Sequence, residues 1–169
     1  KGYSEYLSDN IFCNDRSIDS GDGFTLNATT IYKPYNRVYS NKAPSLKCPR
    51  QIDGFTVNTS NNLGNGELTY PVGLLTIDEA SYAGGKYGNY NRLYYLYTGQ
   101  TYWTMSPSSF SSAIAYALVW FVYSSGYFGT HRASYGYGVR PVVNLNPGVL
   151  ITSGNGTASS PYVIAAEAS

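Results

Sequence analysis

The sequence predicts an α+β fold made mostly of short antiparallel strands, with few short helices and long irregular loops. Short runs rich in β-branched and aromatic residues, such as residues 117–123, are separated by turn-forming segments such as NTSNNLGNG. Strong signals for a helix start and a helix stop occur together around one short segment, 77–83. A length of 169 residues suits a single domain with its own core.

The N-terminal third contains short strand candidates at 24–26 and 54–57, set among polar turns. The helix at 77–83 follows a capping-box pattern, since the Thr76 hydroxyl can accept from the Glu79 backbone N–H while Glu79 reaches back. Gly84 and Gly85 then provide a left-handed stop.

After the helix the chain becomes β-like, with strand candidates at 93–97, 101–105, 117–123 and 138–145. Pro141 cannot donate to a sheet, so we expect the last of these to lie at an edge or to carry a bulge. Segments 149–152 and 162–164 are typical of a closing hairpin.

The composition excludes two classes of partner. The net charge is only +1, so we expect no electrostatic field that would attract nucleic acid. We also expect no direct insertion into a membrane. Only 12% of the residues are charged, while 19 are Tyr and 18 are Gly. Tyr is amphipathic, so this balance favours a soluble protein with tyrosines on its surface.

The longest apolar run, 113–123, is about half of what a membrane-spanning helix needs. The chain opens at Lys1 without a signal peptide, and we expect an export or anchoring segment to lie outside this sequence.

Cys13 and Cys48 either form a disulfide or remain two buried thiols. The intervening loop-rich segment lacks apolar periodicity and would gain from a cross-link, which favours the disulfide. A disulfide in turn implies an oxidising, extracellular or cell-surface compartment.

Catalytic and metal-binding patterns are hard to find, and we expect neither an enzyme nor a cofactor. His131 is the single histidine and is expected in a polar, glycine-flanked loop. Asp19, Asp22 and Asp53 match no calcium-loop spacing, and solvated turns are the favoured interpretation. The adjacent carboxylates Asp78 and Glu79 point in different directions on a helix.

The segment 107–138 has a different character, because half of its residues are Tyr, Ser or Gly. This is the composition of antibody-like binding loops, in which Tyr gives a large contact with few torsions to freeze. A sheet core with polar turns would explain Trp120 and Val122, but it would not explain the five tyrosines of this segment.

Ordered motifs along nearly the whole chain resemble a family of exported proteins from gut Firmicutes and their phages. They include LLTIDEA at 74–80, YLYTG at 95–99, YWTMSP at 102–107, GVRPVVNL at 138–145 and PYVI at 161–164. Near the start, FCNDRS at 12–17 and PSLKC at 44–48 continue the match.

Some members of that family resemble variable proteins of diversity-generating retroelements, which have a C-type-lectin fold related to formylglycine-generating enzymes. The resemblance implies one domain over 1–169, with a scaffold at 1–105, a variable ligand-binding region at 106–138 and closing strands at 139–169. It implies a ligand that is a protein or glycan on a cell or phage surface.

The resemblance places the interchangeable ligand contacts between the YW and GVRP motifs. They are Ser108, Ser109, Ser111, Ser112, Ile114, Tyr116, Phe121, Tyr123, Ser124, Ser125, Tyr127, Thr130, His131, Arg132, Ser134, Tyr135 and Tyr137. Strand alternation places Phe121 and Tyr123 on one side and Trp120 and Val122 on the core side. We therefore expect Phe121→Ser and Tyr123→Ser to leave folding intact, whereas Trp120→Ser costs several kcal/mol.

Randomised AAY codons in such a block yield no Lys, Glu, Gln, Met or Trp. Lys, Glu, Gln and Met are absent from 107–138, as this mechanism requires. They also stay absent as far as Ala166, beyond the block, so the pattern is consistent with diversification without establishing it. Two alternatives remain: a fixed-specificity lectin or pilus-associated adhesin of the same fold, and a small enzyme related to formylglycine-generating enzymes.

Arg140 is expected to be half-buried beside Asp78 or Glu79, with ligand contact as its alternative.

Overall fold

The computed structural model describes residues 6–59, 63–157 and 159–166. The fold is α+β, mostly strands with few short helices. The strands are β1 (Leu7–Ser8), β2 (Phe12–Cys13), β3 (Ile18–Ser20), β4 (Thr30–Tyr32), β5 (Gly54–Phe55), β6 (Val72–Leu74), β7 (Lys86–Tyr87), β8 (Tyr102–Ser111), β9 (Tyr116–Val122), β10 (Tyr127–Arg132), β11 (Gly138–Val139), β12 (Pro141–Leu145), β13 (Val149–Ser153) and β14 (Val163–Ala166). The helices are α1 (Lys33–Tyr35) and α2 (Ile77–Tyr82), with a π-helical turn at Asn36–Ser40 and a 3₁₀ turn at Gln51–Asp53.

A seven-stranded sheet in the order β3-β4-β8-β9-β10-β7, with β11 beside β8, forms the centre of the described chain. Most of its pairs are antiparallel, while β7 runs parallel to β10 and β11 runs parallel to β8. Among the described residues there are also three smaller sheets, β1-β12-β6, β13-β14 and β2-β5.

The core lies on one side of this sheet. Trp120, Val122 and Phe128 are buried there against Ile77 and Ala80 of α2. Because strand side chains alternate, the residues between them on β9 and β10 face the opposite side.

The capping box at α2 is confirmed. The Glu79 N–H donates to the Thr76 hydroxyl at 3.1 Å, and the Thr76 N–H donates to the Glu79 carboxylate at 2.7 Å. Gly84, with φ of 107°, follows the helix in the left-handed region that the sequence predicted.

The disulfide and the closing hairpin are also confirmed. Cys13 and Cys48 are bonded, with Cα atoms 5.6 Å apart. Strands β13 and β14 pair antiparallel, with Ile151 opposite Ile164. Among the described residues, no helix combines the length and the apolar character needed to cross a bilayer.

Two strand predictions are wrong, those at 24–26 and 93–97. Both segments are irregular, and Leu93 is 96% exposed. Asn91 explains the second case, because its side chain donates to the Gly84 carbonyl and accepts from the Leu93 N–H, which holds the chain in a turn.

Other strand boundaries differ from expectation. The strand expected at 101–105 continues to Ser111, while that at 54–57 ends at Phe55. The segment 138–145 breaks at Arg140 into β11 and β12, which belong to different sheets. Pro141 opens β12 opposite Leu74, a position where a missing N–H is tolerated.

Candidate ligand-binding face

Aromatic side chains gather on the side of β8–β9–β10 that faces away from the core. Trp103 of β8 and Gly129 of β10 lie opposite Phe121 of β9, and His131 lies one pair further along. Tyr123 follows the end of β9. Together with two rings from the next loop they form the outer aromatic face, whose members are Trp103, Phe121, Tyr123, His131, Tyr135 and Tyr137.

Phe121 lies at the centre of this cluster. Its ring centroid is 4.5 Å from that of Tyr123, 5.0 Å from Tyr137 and 5.8 Å from Trp103. Most of these pairs are edge-on or tilted, the arrangements that aromatic quadrupoles favour.

The loop 133–137 explains why the Phe121 ring is buried within the cluster. It joins β10 to β11, and because β11 pairs with β8 on the far side of β9, this loop must cross β9. It crosses on the side that carries Phe121, since the Trp103 indole N–H donates to the Tyr135 carbonyl at 3.2 Å. Tyr137 of this loop therefore lies against Phe121, while the exposed Tyr135 packs beside it on His131 and Tyr137.

Gly129 makes room for the Phe121 ring. A Cβ at position 129 would lie 2.9 Å from two atoms of that ring, closer than carbon atoms approach. A glycine inside a strand commonly marks such a close approach, and here it lets the ring lie against the β10 backbone.

The aromatic surface continues around the edge of β10 through Tyr127, whose ring is 6.3 Å from that of Tyr123. Tyr87 and Tyr90 lie 5.6 and 5.5 Å from Tyr127 on its other side. A groove of about 250 Å³ runs beside Tyr127. A hydrogen bond with Tyr87, together with partial burial, raises the pKa of Tyr127 to about 12.

Sequence reasoning missed Tyr87 and Tyr90, because it looked for contacts only between 106 and 138. The signal that points to them is compositional, since the twelve-residue segment KYGNYNRLYYLY at 86–97 contains five tyrosines, as many as the whole block 106–138.

The seventeen predicted contacts divide into three groups by exposure. The exposed ones are Ile114, Tyr116, Tyr123, Ser124, Ser134 and Tyr135; the half-buried ones are Ser111, Ser112, Ser125, Tyr127, Thr130, His131, Arg132 and Tyr137; the buried ones are Ser108, Ser109 and Phe121.

The expectation that Ser108, Ser109 and Phe121 lie at the surface is wrong, since their exposed fractions are 0%, 7% and 1%. The two serines lie in β8 where it passes between neighbouring strands, and Phe121 lies beneath the crossing loop. Thr130 pairs with Trp120 and therefore lies on the core side of β10.

The remaining contacts are not all brought together. Ser112 and Ile114 lie in the turn between β8 and β9, whereas Ser124 and Ser125 lie in the turn between β9 and β10 at the opposite end of the strands. Beside the first turn, the Arg132 guanidinium lies 3.7 Å from the centroid of the Tyr116 ring, a close cation–π contact.

Arg140 is half-buried as expected, but its predicted carboxylate partners are wrong. Its guanidinium donates to the Leu96 carbonyl and lies 5.4 Å from the Tyr102 ring centroid. Asp78 binds Arg37 instead, through contacts of 2.9 and 2.8 Å, while Glu79 caps α2.

Arg37 also holds Asp15, at 2.6 Å, so one guanidinium bridges two buried carboxylates beside a polar pocket of about 130 Å³. Burial alone would raise the pKa of Asp15, but hydrogen bonds from Ser17 and Arg37 outweigh it and lower that pKa below its usual 3.8. The Asp15 carboxylate is therefore held ionised.

The expectation of a solvated turn at Asp53 is wrong as well. This carboxylate is fully buried and binds both Arg16 and Arg50, at 2.8 and 2.6 Å. Among the described residues, no group of three or more His, Cys, Asp or Glu side chains is placed to hold a metal ion.

No protein-family model, curated protein or solved structure matches this chain. Any functional assignment therefore depends on the geometry of the outer aromatic face and on the motifs of the sequence.

Proposed function

We propose that this is a non-catalytic ligand-binding or adhesion protein, which contacts a protein or glycan on a cell or phage surface through its outer aromatic face. One observation carries the proposal: Phe121 is sealed beneath a shell of rings whose own outer surfaces face solvent, with Tyr123 40% and Tyr135 49% exposed. Tyr rings have few torsions to freeze, so they lose little entropy when a partner covers them.

The chemistry of this shell suits both proposed ligand classes. Tyr rings present an apolar body with a polar hydroxyl, and exposed aromatic clusters of this kind are enriched at the centres of protein interfaces. The same rings can stack on the apolar faces of sugars while their hydroxyls donate hydrogen bonds.

The finer proposal is a C-type-lectin scaffold diversified by a retroelement. The order of the motifs from YWTMSP to GVRPVVNL supports it. Under this proposal the interchangeable positions are limited to exposed residues such as Tyr123 and Tyr135, because random replacement of Phe121, Ser108 or Ser109 would disrupt packing. The disulfide supports an extracellular or cell-surface location.

A binding screen with matched variants tests the function. The protein is applied to glycan and surface-protein arrays, together with the face variant Tyr123→Ser/Tyr135→Ser and the control variant Tyr70→Ser/Tyr95→Ser. Both control tyrosines are more exposed than the two face tyrosines and lie outside the outer aromatic face. We expect at least a tenfold loss of affinity in the face variant only, as removal of interface anchors typically produces.

Equal losses in both variants, or binding that survives in the face variant, would contradict the proposed face. Sequencing of the surrounding locus tests the retroelement separately. The expected result is a near-identical downstream repeat of the 106–138 coding region that is rich in adenine, beside a reverse transcriptase gene. If the locus contains neither the repeat nor the reverse transcriptase gene, the protein is a binding protein of fixed specificity.

A further inference from the structure

A second concave site lies beside the outer aromatic face, in a cleft of about 490 Å³. One wall is formed by Met105 and Pro107 of β8 and Val119 of β9; the other contains Ile18, Phe24 and Ile52. None of the six residues of the outer aromatic face lines it. This volume lies within the range of sites that bind small molecules.

The lining of the cleft is mostly apolar, and its lip is unusually exposed. Phe24 and Ile52 are 73% and 62% exposed, and both line the cleft. A concentration of exposed apolar side chains around a concave site marks a surface that is stabilised when a ligand covers it.

The charged end of the cleft carries an excess of positive charge. Arg16 and Arg50 both line it, and both bind the single carboxylate of Asp53, which leaves a local net charge of +1. Their side chains remain 43% and 48% exposed, while Asp53 is fully buried behind them.

The contacts of Arg16 with described residues use its Nε and one terminal nitrogen, and those of Arg50 use the same two kinds of atom. Each guanidinium group has one terminal nitrogen that makes none of these contacts with described residues. A guanidinium has further N–H groups in a fixed fork that matches a carboxylate or sulfate.

From this charge distribution we propose that the cleft binds a small amphipathic anion, a carboxylate or sulfate group on an apolar body. The head binds Arg16 and Arg50, and the body lies between Met105, Val119 and Phe24. A cation would face two guanidinium groups, and a neutral apolar molecule would leave their donors unused. The site goes beyond the proposed surface recognition, because it uses different residues and a different ligand class.

The test uses three probes of equal chain length: octanoate, 1-octanol and octylammonium. Each is titrated into the intact protein and followed by amide NMR shifts. We expect octanoate to bind about tenfold more tightly than octanol, octylammonium to bind more weakly still, and the octanoate preference to shrink as salt is added.

Two variants locate the site. Ile52→Glu places a carboxylate on the lip of the cleft at an exposed position, where folding tolerates it, and is expected to weaken octanoate binding at least tenfold. Ile18→Glu does the same from a second exposed position on the lip. Leu93→Glu adds the same charge at an exposed position outside the cleft and is expected to change nothing.

Equal affinity for octanoate and octanol, or unchanged octanoate binding in both cleft variants, would overturn the proposal. Loss of octanoate binding in Tyr123→Ser/Tyr135→Ser but not in the cleft variants would also overturn it, by placing the anion on the outer aromatic face. Octanoate binding that survives in this double variant supports the cleft, whatever the array screen shows for the outer face.

Discussion

Phe121 and Tyr123 show how two aromatic residues of one strand region come to have different roles. The alternation of β9 directs both away from the core, as the sequence predicted. Tyr137 of the loop 133–137 lies against the Phe121 ring, with centroids 5.0 Å apart, and Phe121 is 1% exposed whereas Tyr123 is 40% exposed. Alternation along a strand determines which side of the sheet a side chain faces. Whether that side chain is buried depends on which other segments of the chain pack over it.

We expect Phe121→Ser to lower the free energy of unfolding by about 3–5 kcal/mol, because it removes a buried ring and leaves a cavity. Tyr123→Ser is expected to cost about 1 kcal/mol, the worth of one partly exposed aromatic contact. Urea denaturation of both variants, with Trp120→Ser as a fully buried reference, measures the difference. A Phe121→Ser variant as stable as Tyr123→Ser would contradict the burial of this ring.

Charged side chains were the least predictable residues of the candidate sites. The sequence favours a solvated turn for Asp53, yet this residue is buried between Arg16, 37 positions away, and Arg50. The sequence pairs Arg140 with Asp78 or Glu79, but Asp78 binds Arg37 and Glu79 caps α2. The sequence shows which residues carry charge, but the pairing of residues distant in the chain depends on how the loops pack.

Helix α2 and strand β10 illustrate which elements a sequence reveals. The helix was predicted correctly because its start and stop are local hydrogen-bonding patterns within a few residues. The sequence predicts a polar loop around His131, but this residue lies in strand β10, whose sequence YFGTHR has a glycine and polar residues that interrupt any alternation. This segment is a strand because β9 and β7 pair with it on either side.

Arg37 joins three elements, and its loss is expected to separate them. It lies in the π-helical turn and binds Asp15, between β2 and β3, and Asp78 of α2. Removing the partner of buried carboxylates leaves them uncompensated, so Arg37→Ala is expected to cost about 3–5 kcal/mol in urea denaturation.

Arg92 gives a matched control, because it occupies the same place in a second Tyr-Asn-Arg fragment and is exposed. We expect Arg92→Ala to change the free energy of unfolding by no more than about 0.5 kcal/mol. Similar effects of the two substitutions would show that the bridge between Asp15 and Asp78 contributes little.

The disulfide constrains the N-terminal part of the whole molecule. It closes a separation of 35 residues and ties β2 to the segment that carries Arg50 and Asp53. Reduction is expected to lower the free energy of unfolding by about 3–4 kcal/mol in the chain-entropy model. Urea denaturation with and without reductant measures this change, and Cys13→Ser/Cys48→Ser should reproduce it without responding to reductant. A reductant effect on that double variant would point to another cause.

The outer aromatic face is assembled from β8, β9, β10 and the loop that follows them, and tyrosines near 87–90 extend it. The sequence block 106–138 therefore supplies the middle of the central sheet as well as surface rings. Its core-facing residues are constrained by packing against α2, while its outward residues are free of that constraint.

By itself the sequence determined the α+β class, the capped helix, the closing hairpin and the concentration of tyrosine between 106 and 138, and it favoured the pairing of the two cysteines. These features depend on composition, local hydrogen bonds or short-range alternation. Only the tertiary structure decided that Phe121 is sealed, that YFGTHR pairs as a strand, and that Arg16 and Arg50 share Asp53 beside an apolar cleft. Each of these depends on contacts between residues far apart in the chain, and such contacts form only once the loops have crossed and packed.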